Sequence, residues 1–186
     1  AVTDIPEKCF AGCTALTEIK EHKNLKNVAA DAFSGSAWED AKEEGPLNFG
    51  RVLYSYKGEV KDMVIPEGVS IIEDYAFLGC DFIETVTLGE DVEEIGLFAF
   101  QNCVNLKSVA VDDAMGILAA GAFKGCSSLT SIDFSESTLA TIGYESFADC
   151  TSLAEVKLSE TLSEIGDYAF ANTKIKTIEF LKNMNS

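Results

Sequence analysis

The chain has 186 residues, with 31 Asp and Glu against 14 Lys and Arg, a net charge of −17 and a sequence pI of about 4.3. An acidic surface of this size repels phosphates, which excludes nucleic acid as a partner and disfavours anionic membrane surfaces. No apolar run approaches the length of a membrane-spanning helix, and no secretory signal is legible.

Seven phenylalanines divide the chain: Phe10, Phe33, Phe77, Phe100, Phe123, Phe147 and Phe170, at gaps of 23, 44, 23, 23, 24 and 23 residues. A fixed period near 23 predicts a solenoid, in which each turn packs only on its neighbours. At the front, Val2-x-x-Ile5, Cys9-Phe10 and Cys13 form the back half of a unit. Leu16-x-x-Ile19 reads as the strand of the next unit, with Glu21 in an inward position where the pattern wants an apolar residue. Leu25-x-x-Val28 and Ala32-Phe33 complete that unit.

The long gap follows. Other turns take six residues from the Phe to the next strand, whereas 27 separate Phe33 from Val60. Residues 34–59 therefore read as an insertion after which the register resumes. Ser36 to Glu44 reads as a short helix, with Ser36 as N-cap and acids in the first turn. Gly45-Pro46 reads as its stop. Val52 to Tyr56 reads as a strand, Lys57-Gly58 as a turn and Val60 to Ile65 as the returning strand, predicting a hairpin joined to the repeat sheet. Trp38, Tyr54 and Tyr56 are either an aromatic contact patch on this element or a plug for the side of the core and a cover for a sheet edge.

After the insertion the unit is regular. Val60-x-x-Met63-x-Ile65 is followed by Val69-x-x-Ile72 and Ala76-Phe77. Ile83-x-x-Val86-x-Leu88 leads to Val92-x-x-Ile95, Ala99-Phe100 and Cys103, and three further copies follow, the last with Thr173 in the Cys position. A closing strand is predicted at Ile175-x-x-Ile178-x-Phe180. The last two apolar positions of each strand alternate, as on a strand with one buried face. Seven such strands would stack into a parallel sheet about 29 Å long. Residues 1–186 thus read as a single domain of about eight complete or partial turns.

Five of the six cysteines (Cys13, Cys80, Cys103, Cys126 and Cys150) fall three residues after a repeat Phe, and Cys9 takes the Ala position before Phe10. Such positions predict buried free thiols, with a disulfide or a metal as weaker alternatives, because stacked parallel side chains bridge poorly. His22 is the one histidine and reads as exposed and inert. The pairs Glu73 and Asp74, Glu93 and Glu94, and Asp112 and Asp113 read as solvated surface. No nucleophile, phosphate-loop, zinc or calcium motif occurs, so neither an enzyme nor a cofactor is expected.

The strings Ile95-Gly96 to Phe100 and Cys103, Ile142-Gly143 to Cys150, and Ile165-Gly166 to Phe170 give the chain its family likeness. With their 23-residue period they make it resemble the BspA-like, or treponemal-type, leucine-rich repeat proteins. The insertion also resembles one familiar in that family. The resemblance implies a leucine-rich repeat solenoid of the α/β horseshoe-like class. It would be right-handed, with parallel strands on a concave face and short helical or irregular turns on the convex side. It also implies display on a bacterial surface or secretion, and adhesion or protein binding. The outward strand positions form the candidate interaction surface: Glu18 and Lys20, Lys61 or Asp62 and Val64, Thr85 and Thr87, Ser108 and Ala110, Ser131 and Asp133, Glu155 and Lys157, Thr177 and Glu179. That face is small and polar without an aromatic ladder, so a structural spacer is the alternative reading and a carbohydrate-binding module a weaker one. Neither end carries a polar cap, so a longer chain holding any export signal and anchor is expected.

Overall fold

The computed structural model describes residues 2–20 and 25–179. The strands are short and parallel apart from one hairpin. β1 (Asp4–Ile5) and β2 (Asn27–Val28) pair with each other, and α1 (Ala37–Asp40), β3 (Gly45–Phe49) and β4 (Val52–Lys57) make up the insertion. Three-residue strands then alternate with two-residue ones in the order β5 (Asp62–Val64), β6 (Ile71–Ile72), β7 (Thr85–Thr87), β8 (Glu94–Ile95), β9 (Ser108–Ala110) and β10 (Ile117–Leu118). The series ends with β11 (Ser131–Asp133), β12 (Thr141–Ile142), β13 (Glu155–Lys157) and β14 (Glu164–Ile165).

Each turn contributes to three stacked tracks. The three-residue strands form the first, in two ladders, β5-β7-β9 and β11-β13. Their central residues Met63, Val86, Val109, Ile132 and Val156 point inward and the flanking residues outward, as the alternation predicts. The expected single seven-strand sheet is not formed. Between β9 and β11 the Thr130 N–H reaches the Lys107 carbonyl only at 3.4 Å. The predicted strands at Leu16–Ile19 and Ile175–Ile178 are irregular over their described residues, while Glu21, His22 and Phe180 lie outside them. Residues 34–59 intervene between the first of these strands and β5, the strand of the following unit.

The second track comes from the V-x-x-I sets, where irregular turns were expected. These pair as a ladder of their own, β6-β8-β10-β12-β14. The third track is the corner around the repeat Phe, which also pairs from turn to turn. The N–H groups of Tyr75, Phe77 and Gly79 donate to the carbonyls of Leu97, Ala99 and Gln101 at 2.9, 2.8 and 2.7 Å, and each later corner repeats this. The chain achieves the bend with left-handed backbone two residues after each Phe, at Gly12, Gly35, Gly79, Asn102, Gly125, Asp149 and Asn172. Only Gly, Asn and Asp occupy these sites, the residues for which that conformation costs least. The motif's I-G step has a packing cause. A Cβ on Gly143 would lie 2.6 Å from the Ala120 nitrogen of the turn before.

Within the core the phenylalanines stack. Phe77, Phe100, Phe123, Phe147 and Phe170 form a column with centroids 4.8, 5.2, 5.5 and 5.4 Å apart and planes within 8° of parallel. Phe10 and Phe33 stack separately at 5.3 Å. The column expected to run unbroken is therefore divided by the insertion. Phe33 meets Trp38 at 5.0 Å, Phe49 at 5.3 Å and Tyr54 at 5.9 Å, and Tyr56 meets Phe77 at 6.4 Å. Two apolar cores result, with Leu53 packed into the larger and its neighbour Tyr54 into the smaller.

The hairpin differs from the expected one. Ser36 caps α1 as predicted, its Oγ accepting from the Glu39 N–H at 3.2 Å. The partner of β4 is β3, antiparallel, and not the strand after Gly58. Gly45-Pro46 is the start of a strand rather than only a helix stop. Pro46 is tolerated because β3 is the edge of its sheet, and Leu47 and Phe49 alternate inward. β4 then pairs in parallel with β6 through Val52 with Ile71 and Leu53 with Ile72. The insertion thus supplies a rung of the second track.

Candidate functional site

The outward strand positions lie where the alternation puts them. Thr87, Ser108, Ser131, Asp133, Glu155 and Lys157 are exposed, Thr85 is half-buried, and Glu18 and Lys20 are exposed on irregular backbone. Register assigns Asp62 rather than Lys61 to the row. Some of these polar groups, and charges beside them, are engaged with one another across turns. Thr85 donates to Asp62 at 2.7 Å. Glu84 holds Lys61 at 3.1 Å and Lys107 at 2.5 Å. Lys157 reaches Asp133 at 2.7 Å, and its hydrogen bond holds the Asp133 carboxyl down at about 2. Charges already paired across turns have little left to offer a partner and still cost free energy to desolvate, so the face is a poor anchor.

The insertion's aromatic residues do not form a contact patch. Tyr54 is fully buried and Trp38 nearly so, while Tyr56 is half-buried over Phe77. Trp38 fills the side of the smaller core because Phe33 has no phenylalanine of a following turn to stack on. The Trp38 and Phe49 rings stack at 5.1 Å in its place.

Exposed aromatic residues lie instead along the corner, at positions absent from the strand reading. Exposed Tyr75 stacks on half-buried Phe98 at 5.5 Å, and Tyr144 and Tyr168, both exposed, meet edge-on at 6.0 Å. Tyr168 is 67% exposed, and Leu78 and Leu97 are exposed on the same track. Between the two pairs the Phe98 ring lies across Gly121, where any Cβ would overlap it. The sequence carries this signal in the variable positions of I-G-x-x-A-F, where aromatic residues recur without being required by the core.

A cleft of about 660 Å³ opens at the head of this row, lined by Asp4, Ile5, Pro6, Glu7, Asn27, Ala29, Ala30, Asp31, Glu73, Asp74, Tyr75 and Leu78. Its origin is topological. Every other turn continues from its V-x-x-I rung into a corner, but β4 runs straight on to Lys57. One corner layer is therefore absent between Asp31 and Asp74, and a gap of about two strand spacings, roughly 9–10 Å, is left. The sequence marks the place. Glu73 stands where Gly96, Gly143 and Gly166 stand in later turns, and a large side chain fits there only because the preceding corner is missing.

Glu73 is not the solvated residue that its pairing with Asp74 suggests. Its Oε2 is buried without a hydrogen-bond partner. Burial, with the Asp74 and Glu94 charges adding to it, pushes the carboxyl up to about 7 against the opposing amides of Val28 and Asp74. Among the described residues, the N–H groups of Asp31 and Phe33 reach no acceptor, and the carbonyls of Asp74, Ala76 and Leu78 receive no donor, although their counterparts in later corners, apart from the N–H groups of the last, are paired.

The cysteines occupy a structural role. The thiols of Cys103, Cys126 and Cys150 are buried and donate to the carbonyls of Phe77, Phe100 and Phe123 at 3.2, 3.1 and 3.1 Å. Burial pushes Cys80 and Cys150 up to about 12. Cys13 and Cys80 are half-buried, and Cys9 is exposed. Thr173 replaces the thiol in the last turn and donates to Phe170 at 2.9 Å. No cluster of three metal-ligating side chains occurs, and no helix is long and apolar enough to cross a membrane, among the described residues.

Comparison with known proteins agrees with this architecture. The BspA type Leucine rich repeat region matches in six copies, over residues 1–88, 47–139 and 118–186. A leucine-rich repeat protein of T. pallidum superposes with a TM-score of 0.63 at 28% identity, over 72% of this chain and 65% of that one. A leucine-rich cell surface protein of Faecalibacterium prausnitzii does so with a TM-score of 0.51 at 26% identity, over 69% and 44%. The pneumococcal vaccine antigen PcpA shares the fold, with a TM-score of 0.63 at 17% identity over 85% and 45%. The chain therefore spans about two thirds or less of the length of these proteins. No curated protein matches it. With matches along its whole length and a repeat whose every element has a packing reason, the chain belongs to the BspA-type leucine-rich repeat family.

Proposed function

We propose that this chain is a non-enzymatic interaction module of a bacterial surface or secreted protein, and that it binds protein. The observation that carries this reading is the aromatic row along the corner track, in which Tyr75, Tyr144 and Tyr168 are exposed and Phe98 is half-buried. Tyrosines in a row over stacked backbone offer large rigid contact area at low entropic cost, which is what protein interfaces select. The outward strand face, from Glu18 and Lys20 through Thr85, Thr87, Ser108, Ser131, Asp133, Glu155 and Lys157, serves as polar flank rather than anchor. The surface location is supported by family membership and by the likeness to the F. prausnitzii cell surface protein.

The test is an array of extracellular proteins probed with the chain and with a Tyr144→Ser/Tyr168→Ser variant. Reproducible binding lost in the variant and retained in Thr87→Ala supports the reading. Binding unchanged in the tyrosine variant refutes the aromatic row, and no binding by any form favours a spacer.

A further inference from the structure

We propose that the cleft between the Asp31 and Asp74 corners accepts an extended basic peptide segment of a partner protein, seated as the missing corner layer. This deepens the protein-binding reading and rests on it. Three independent features of the cleft converge on that occupant.

The first is backbone. In the four corners from Tyr75 to Asp149 the N–H groups donate forward to the carbonyls of the next corner. In the cleft the Asp31 N–H stands on one wall and the Asp74 and Leu78 carbonyls on the other, all without partners among the described residues. A gap of about two strand spacings admits one extended chain, whose carbonyls face Asp31 and whose N–H groups face Asp74 and Leu78. A small ligand could not satisfy both walls in this periodic way.

The second is charge. Asp4, Glu7, Asp31, Glu73 and Asp74 line the cleft without a Lys or Arg among them, and Lys8 reaches Asp31 from outside the lining at 3.8 Å. The Glu73 side chain projects into the space that the missing corner would fill, with one oxygen buried and unpaired. A lysine or arginine side chain seated in the cleft would offset the repulsion between the Glu73 and Asp74 carboxylates. A second copy of this chain, with its charge of −17, is a poor occupant by the same argument.

The third is apolar lining. Ile5, Pro6, Ala29, Ala30, Tyr75 and Leu78 form the remaining walls. Alternate residues of an extended peptide point to opposite sides, so a sequence of alternating basic and apolar residues presents its ammonium groups to the carboxylates and its aliphatic ones to this lining.

The probe is a fluorescently labelled, end-capped peptide of alternating lysine and valine, six residues long, titrated by anisotropy against this chain in 0.15 M salt. The comparison peptides have glutamate in place of lysine, or carry N-methyl groups on alternate amides. Spermine is run as a competitor. The expected result is saturable binding, at least tenfold weaker for the N-methylated peptide, for the Glu73→Gln/Asp74→Asn chain and for Ala30→Trp, which fills the cleft. Amide shifts on binding should centre on Asp31 and Tyr75. Equal binding of the N-methylated peptide, or full displacement by spermine with no effect of the substitutions, would show mere attraction of a cation to an acidic surface and overturn the proposal. Absence of binding also overturns it. That failure leaves the broader reading intact if array binding still depends on Tyr144 and Tyr168, so the two are separable.

Discussion

The rings of Phe100 and Phe123 lie 5.2 Å apart with planes 5° from parallel, and Phe77 covers the other face of Phe100 at 4.8 Å. Phe100 is thus buried by its neighbours rather than by its own turn. Phe100→Ala is expected to lower stability by roughly 3–5 kcal/mol, as truncations of buried Phe do. Thr87→Ala, on the exposed strand face, should change it by less than about 0.5 kcal/mol. Equilibrium urea denaturation of both variants checks this, and similar effects would refute the assignment of inside and outside.

The thiols give a second test. Cys103, Cys126 and Cys150 are buried and hydrogen-bonded, whereas Cys9 is exposed. Native protein at pH 8 should label rapidly at Cys9, while the three buried thiols should react only as fast as the chain opens. Six thiols should titrate in denaturant without reductant. Fewer than six would show disulfides that the parallel stacking does not allow.

Stability should depend on pH through Glu73. Its folded-state carboxyl is raised to about 7, so the folded chain binds this proton more tightly than the unfolded one. The contribution is full below the unfolded value near 4.5 and is lost as pH rises through about 7. The loss should be about 1–2 kcal/mol, some half of what the shift alone implies, because the residue is half open to solvent. Glu73→Gln should remove this component and raise the melting temperature at pH 8. A Glu73→Gln chain with the same pH profile as the parent would refute the assignment.

The left-handed corners make a prediction in two steps. Gly125 has φ +75°, and a Cβ there would overlap the Asn102 side chain of the preceding corner. Gly125→Ala should cost about 1–2 kcal/mol from backbone strain and overlap together. Adding Asn102→Gly should recover part of that loss, because it removes the overlap and leaves only the strain. Additive losses in a double-mutant cycle would contradict the contact.

Trp38→Ala should be as severe as the loss of a repeat Phe, roughly 3–5 kcal/mol, though felt locally. Hydrogen exchange should quicken at Val28 and Tyr54 while amides of Leu118 and Ile142 keep their protection, since Trp38 belongs to the smaller core.

Much of this was legible in the chain. The Phe spacing placed the column, and the alternation in Ile83-x-x-Val86-x-Leu88 put Val86 inward and Thr87 outward, as found. The insertion was located but its pairing was misread. Gly45-Pro46 stops a helix as readily as it starts an edge strand, and Leu47 and Phe49 alone are too short an alternation to separate the two. The candidate site was mostly hidden. Tyr75, Phe98, Tyr144 and Tyr168 sit at positions the repeat leaves free, so periodicity does not single them out. Glu73 beside Asp74 looked like solvated surface, although its place in the Gly position of the motif marked a missing layer.

By itself the sequence determined the unit: which residues face the core, where the chain bends, and where 21 or so residues interrupt the count. Apolar spacing and the tolerance of Gly, Asn and Asp for left-handed backbone are local properties, readable one turn at a time. Only the tertiary structure decided which edge β4 would join, that its straight course would leave one corner unfilled, and that exposed rings from separate turns would meet. Those outcomes depend on how each turn rests on the next, and stacking of that kind is a relation between turns that no single repeat contains.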